Sequence, residues 1–500
     1  MLSRTLHASF VLVASWLEKC ESTMFAGSVH TKRETSCTYL QEPCCEHDLP
    51  RPYLLSTALS SRALTVSRCP CGHLAPTMKS ERAILSAIVA ILPTVGAKFP
   101  RTCPAPIPKS ANSTLGVCPT DFTIIGSELE PVHESIKAPT GLAIDPSLGL
   151  YLTYPRNSGP TPDNVVKCTS FDTEEPWPSA AIQNCTTGQN ASTCFINVQN
   201  IVLDSVNQLW VVDSGIPPGE KSAFEYGAKI MSFSLAGELL RTYIIPSELY
   251  YDNMNANDVR INNTLGEGGY AFITDESDAG SILSINLATA AANRRLFNTT
   301  YTRADEGHVG VYNGQLIYSW NGTRKSFITT GSDGIALASG NVYWGVLASR
   351  RFYYISQAAI VDNSISDEDL LAYVQDPGQC GTEQAGLTAD DKGRVYICAS
   401  EHNAIFYMDT LQAAVNATVN GVPPGSLNAL ELVPAKDYVV KTLVRNALIQ
   451  HADSAAIWDG WLYFCTNQLE LSPGRQYNNV DARRGPFRSY RVWIGAGPAI

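Results

Sequence analysis

From residue 140 onward, polar and apolar positions alternate in short runs, and one run recurs six times. It spans Thr140–Asp145, Gln199–Asp204, Asn257–Asn262, Ser332–Leu337, Gln384–Ala389 and Asp453–Trp458, with starts 59, 58, 75, 52 and 69 residues apart. Each opens on a polar residue and continues into apolar or β-branched ones, as a strand entering a core does. A second strand follows each time, at Leu150–Tyr154, Leu209–Asp213, Tyr270–Asp275, Val342–Val346, Val395–Cys398 and Leu462–Cys465. Gly340, Gly393 and Gly460 mark hairpin turns between them. A third strand is expected at Lys229–Phe233, Ser281–Ile285, Phe352–Ile355 and Ala404–Met408. Six such meanders predict an all-β chain, a six-bladed β-propeller over residues 136–500, entered through an N-terminal segment at 98–135. Two stacked β-sandwiches would not need the same unit to recur so regularly.

Composition narrows the function classes. The 500 residues are 44% apolar and 17% charged, which excludes a collagen, a coiled coil and a wholly disordered chain. The net charge is −11, and no basic block is long enough to follow a phosphate backbone, so no nucleic-acid partner is expected.

The first 97 residues lack the repeat and hold six of the fourteen cysteines in no zinc-type spacing. Within them, Met78–Arg82 is basic, Ala83–Leu92 is apolar, and small residues end at Ala97. This predicts a signal peptide at 78–97, with 1–77 a dispensable extension. The apolar run is too short for a membrane span. The chain from Lys98 has 27 basic and 40 acidic residues and eight cysteines. It also has seven Asn-x-Ser/Thr sites, at Asn112, Asn184, Asn190, Asn262, Asn298, Asn321 and Asn416. An even cysteine count and this many sites point to a secreted, glycosylated, disulfide-bonded protein. The pairings expected are Cys168 with Cys194 and Cys380 with Cys465.

Several motifs resemble the yellow / major royal jelly protein family. They are Leu209–Gly215, Ile273–Ser277 leading to Gly280–Ile282, Ser332–Leu337, Tyr343-Trp344, Leu347–Arg350, Asp453–Ala456, Asp459–Phe464, Thr466–Leu469, Arg484–Phe487, Tyr490-Arg491 and Ile494-Gly495. The likeness covers about residues 120–500. It implies a secreted six-bladed propeller but no single activity, because members act as pigment-pathway enzymes on oxidised catechols, as binders of small amines, or as nutritive and structural proteins. The amine-binding members use a hydroxyl and an Asn near the last blade, which fall on Ser454 and Asn467. An aromatic expected two residues later is Leu469 here. Related six-bladed lactonases hold a divalent metal with Glu, Asn and Asp. Asn257 and Asp333 match such ligands for calcium or magnesium, but Lys137–Thr140 offers no Glu.

The chain has no GxSxG elbow, HExxH pair, Walker A loop or helix-opening GxGxxG. Its four histidines beyond residue 97, His133, His308, His402 and His451, have no i, i+4 pair. Geometry gives a better lead, because starts of inner strands and ends of second strands share one edge of each blade. Six blades would bring them to one mouth of the axial channel. The first set is Thr140, Gln199, Asn200, Asn257, Asp258, Asp333, Glu383, Gln384, Asp453 and Ser454; the second is Arg156, Asp213, Asp275, Glu276, Arg350, Glu401 and Asn467. From these, the expected ligand site is Asn257, Asp258, Asp333, Glu383, Gln384, Asp453, Ser454 and Asn467, with Trp210, Tyr343 and Trp344 nearby. Each such residue could equally cap a turn.

The expected ligand is a small aromatic or amine-bearing molecule, held by ion pairing and cation–π contact. Isomerisation of an oxidised phenolic is the enzyme reading, with Asp258, Asp333, Glu383 or Asp453 as base. A non-enzymatic secreted binding or structural protein and a metal-dependent lactonase are the alternatives. No cofactor is expected beyond that divalent metal, and the sequence leaves the oligomeric state open.

Overall fold

The structure, a computed structural model, describes residues 124–499 apart from 157–160, 186–189, 252 and 413–430. The expected extension, signal peptide, Asn112 and Asn416 lie outside the described residues.

Six antiparallel sheets of three or four strands follow one another along the chain, with two small two-stranded sheets between the third and fourth. Blade 1 holds Gly141–Ile144, Leu150–Thr153, Val165–Cys168 and Glu174–Pro176; blade 2 holds Val198–Leu203, Leu209–Asp213, Lys229–Phe233 and Leu239–Ile244. Blade 3 holds Ala256–Asn262, Tyr270–Asp275, Ser281–Asn286 and Ala292–Arg295. Blade 4 has three strands, Ser332–Ala338, Asn341–Val346 and Phe352–Ser356; blade 5 runs Gln384–Ala389, Arg394–Ala399, Ala404–Asp409 and Lys441–Arg445. In blade 6, Ala452–Trp458, Trp461–Thr466 and Phe487–Trp493 are completed by Glu130–Ser135 from the other end of the chain. That pairing closes the ring and covers the edge that blade 6 would otherwise expose. All sixteen predicted strands are present, within a residue or two at each end.

The blades are apolar on both faces because each packs on two neighbours. Six hydrophobic clusters lie one at each blade–blade interface, from Tyr151 with Phe195 between blades 1 and 2 to Leu152 with Tyr463 between blades 6 and 1. The inner strands converge tightly on the axis. A Cβ on Gly334 would come within 2.1 Å of the Ala385 carbonyl oxygen, and one on Gly386 within 2.1 Å of that of Asp453, so only glycine fits.

In blades 2 to 6 the ladder between first and second strands slips at the start of the inner strand, between Val198/Asn200, Ala256/Val259, Ser332/Ile335, Gln384/Leu387 and Ala452/Ala455. Such bulges re-aim side chains. They free Asn257, Asp333 and Asp453 from ladder positions at the axial end.

The expected disulfides are corrected. Cys194 pairs with Cys185, nine residues away in the same loop, with Cα atoms 5.3 Å apart. Cys168, Cys380 and Cys465 are free. Cys168 lies on the third strand of blade 1, Cys380 is buried before blade 5, and Cys465 faces the Thr140 carbonyl across the seam of blades 6 and 1. These positions are set by different blades, which sequence spacing does not reveal.

Candidate functional site

The freed residues meet partners at one end of the axis. Asn257 Nδ2 donates to Asp333 Oδ1, Asn467 Nδ2 to Asp453 Oδ2, and Asn255 Nδ2 to Glu276 Oε1. The carboxylates of Glu276, Asp333 and Asp453 repel one another across the channel. Burial and this repulsion hold Glu276 at about 7 and push Asp333 well above the usual carboxylate range. Burial raises Asp453 to about 6, although His451, the Asn467 amide and Arg475 favour its ionised form.

A second layer comes from loops. His308 Nε2 lies 2.7 Å from Glu383 Oε1, and Gly310 approaches that carboxylate too closely for any side chain. Short helical turns after blade 6's second strand, Leu469–Leu471 and Pro473–Arg475, supply Glu470 and Arg475, 3.2 Å apart. His451 Nδ1 is 3.2 Å from Glu470 Oε1. Burial alone would raise Glu470, but Arg475 and His451 outweigh it and hold the carboxyl at about 2. Arg475 also offsets Glu383, Asp333 and Glu276. Glu383 Oε2 and His451 Nε2 are buried here without hydrogen-bond partners.

Deeper along the axis lies a closed polar plug. Arg260 crosses from blade 3, donating to Asp258 Oδ1 at 2.7 Å and to the Leu387 carbonyl of blade 5 at 2.5 Å. Asn200 donates to the same Asp258 oxygen, and Ser454 Oγ stands 3.4 Å from Asn200 Oδ1. Beyond the plug, at the far end of the inner strands, opens a cavity of about 400 Å³ lined by Leu142, Val202, Leu337 and Ile457.

The sequence-derived candidates therefore divide. Asn257, Asp333, Asp453 and Asn467 line the polar end together, with Glu383 in its second layer. Asp258 and Ser454 belong to the plug. Gln384 donates to the Arg351 carbonyl and packs on Gly345, between blades 4 and 5. Asp213, Asp275 and Glu401 accept from the backbone N–H groups of Ile196, Asn255 and Glu383, so they tie down the segments entering the inner strands. Arg350 pairs with Glu401. The expected aromatics are elsewhere. Trp210 donates to Asp204, Trp344 to the Tyr301 carbonyl, and Tyr343 meets Tyr438, all in interfaces between blades. Arg475, Glu470, His451, His308 and Tyr312 escaped sequence reasoning, because they stand outside the repeated strands.

Asn257 and Asp333 are bonded to each other, and among the described residues no three carboxylate or histidine donors converge within 4.8 Å at the axis. The expected metal pair, Asn257 and Asp333, thus meets at the axis without a third such donor beside it among the described residues. Among the described residues no helix is long and apolar enough to cross a membrane.

Residues 196–432 match the family model described as Major royal jelly protein, and the resemblance read from the motifs is thereby shown. None of the curated proteins matches the sequence. Among solved structures the chain is similar to a luciferin-regenerating enzyme, at 14% identity and a TM-score of 0.40, covering 75% of this chain and 97% of that one. It is also similar to a gluconolactonase from Xanthomonas campestris, at 9% identity and 0.39, covering 73% and 89%. A streptogramin B lyase matches at 11% identity and 0.37, covering 73% and 97%.

Proposed function

We propose that the polar end of the axial channel binds a small molecule carrying a protonated amine, in a secreted propeller of the royal jelly type. One observation carries this reading: Glu276, Asp333 and Asp453 are crowded at the axis with Arg475 as their shared counter-charge, an arrangement that an incoming ammonium would relieve. The unpartnered atoms of Glu383 and His451 add hydrogen-bonding capacity. With Trp210, Tyr343 and Trp344 turned into the blade interfaces, recognition rests on charge more than on ring stacking. Titration calorimetry with a catecholamine, an indoleamine and a catechol lacking the amine tests it. Binding of the two amines and not of the plain catechol supports the reading; equal binding of all three overturns it.

A second reading is isomerisation of an oxidised phenolic. Glu276, held at about 7, can exchange a proton near neutral pH, which is what a general acid–base group needs. Spectrophotometric turnover of an oxidised catecholamine, lost in Glu276→Gln, separates this from binding alone. Secretion and glycosylation are part of the proposal; Asn184, Asn190, Asn298 and Asn321 are exposed, whereas Asn262 donates to Gln357.

A further inference from the structure

The seam where the ring closes carries a cluster that the axial site does not use. His133 sits on the closing strand Glu130–Ser135 and is fully buried. Cys168 and Glu174 are register partners on the third and fourth strands of blade 1. The imidazole nitrogens, the thiol and the carboxylate offer one donor atom each, all within 4.8 Å of one another.

The hydrogen bonds around them limit where protons can be. His133 Nδ1 is 3.0 Å from the Ser170 carbonyl, which can only accept, so Nδ1 carries the proton. In a neutral imidazole the lone pair is then on Nε2. That nitrogen faces Glu174 Oε1 at 3.0 Å, and the same oxygen already accepts from Tyr154 Oη at 2.5 Å. The pair is satisfied either by a proton on Nε2, which makes it an imidazolium–carboxylate ion pair, or by a metal ion between the two atoms. The His133–Ser170 contact is also the outer hydrogen bond that orients a metal-binding histidine. The nitrogen–oxygen separation is near the edge of a tetrahedron with bonds of ~2.0 Å.

We propose that His133 Nε2, Cys168 Sγ and Glu174 Oε1 hold a zinc ion that staples the closing strand to blade 1. A nitrogen, sulfur and oxygen set suits zinc, and a thiolate argues against calcium or magnesium. On binding, the Cys168 thiol gives its proton to solvent and the thiolate takes the coordination bond. Three protein donors leave a fourth position for water or a nearby hydroxyl. Zinc here would stabilise the ring by binding the folded chain alone.

The test uses the full chain, secreted from cultured cells, stripped with chelator and titrated with zinc chloride and separately with cobalt chloride. The expected result is one metal per chain, a higher unfolding temperature, and a thiolate-to-cobalt charge-transfer band. Cys168→Ser should remove the band and weaken zinc binding by at least ~10-fold while circular dichroism stays unchanged. Glu174→Gln, keeping the thiol, should weaken zinc binding but retain the band, and serves if the first variant does not fold. Folded wild-type protein that takes up no zinc, cobalt bound without the band, or Cys168 found in a disulfide would each overturn the proposal.

Discussion

Arg475 Nη1 lies 3.2 Å from Glu470 Oε2, and both side chains are buried under the polar mouth of the channel. Neither belongs to a blade strand, yet together they set the charge balance of the axial carboxylates. Removing one partner of such a pair leaves the other charged and unsolvated.

Arg475→Gln should therefore lower stability by about 3–5 kcal/mol at neutral pH. Glu470 is held at about 2, below the ordinary carboxylate range, so its contribution is present above ~4.3 and fades as pH falls through 2. The gap in unfolding temperature between wild type and variant should be wide at pH 7 and shrink below pH 4. A gap of the same size at pH 3.5 and pH 7 would contradict this account.

Glu276 and Asp453 have the opposite sign. Their folded-state values, about 7 and about 6, lie above those of the unfolded chain. The folded protein keeps protons that the unfolded chain releases, so stability is full below ~4 and declines as pH rises to 7. A series of unfolding temperatures between pH 4 and 8 should show this fall, superimposed on the Glu470 effect at the acid end. Glu276→Gln should flatten it. An unchanged slope would mean that Glu276 ionises as freely folded as unfolded.

Asp333→Asn should separate binding from stability. An asparagine oxygen can still accept from Asn257, and a neutral amide cannot take up the charge that burial, Glu276 and Asp453 oppose. The variant should unfold at the wild-type temperature or higher, and bind an amine at least ~10-fold more weakly. Equal losses in both measurements would assign Asp333 to holding the inner strand, not to a ligand.

How much of this could be read in advance depended on the range of the interaction. The inner and second strands were legible because local alternation and glycine turns specify them. The outermost strands were not: Leu239–Ile244 and Ala292–Arg295 are largely polar or half-exposed, so they carry no clean two-residue period. The closing strand pairs Glu130 with Arg491, more than 350 residues away, and no local pattern announces such a partner. The site divides the same way. Asn257, Asp333 and Asp453 are tied to the repeat by the bulges of blades 3, 4 and 6, so blade geometry found them. Arg475 and His308 reach the axis from loops whose course depends on packing.

One ion pair tests the fold apart from the site. Lys229 and Asp213 are register partners in blade 2, fully buried, with Nζ 2.8 Å from Oδ2. Lys229→Met should cost about 3–5 kcal/mol, because Asp213 keeps its charge without a cation. Replacing both by apolar residues often restores stability at buried pairs, but it should fail here. Asp213 also accepts from the N–H groups of Ile196, Asn197 and Gly215, and Asp213→Leu would orphan all three at about 1–3 kcal/mol each. Urea midpoints of both single variants and the double variant decide it. A double variant as stable as wild type would show that the backbone donors find other partners, and that Asp213 serves only to neutralise Lys229.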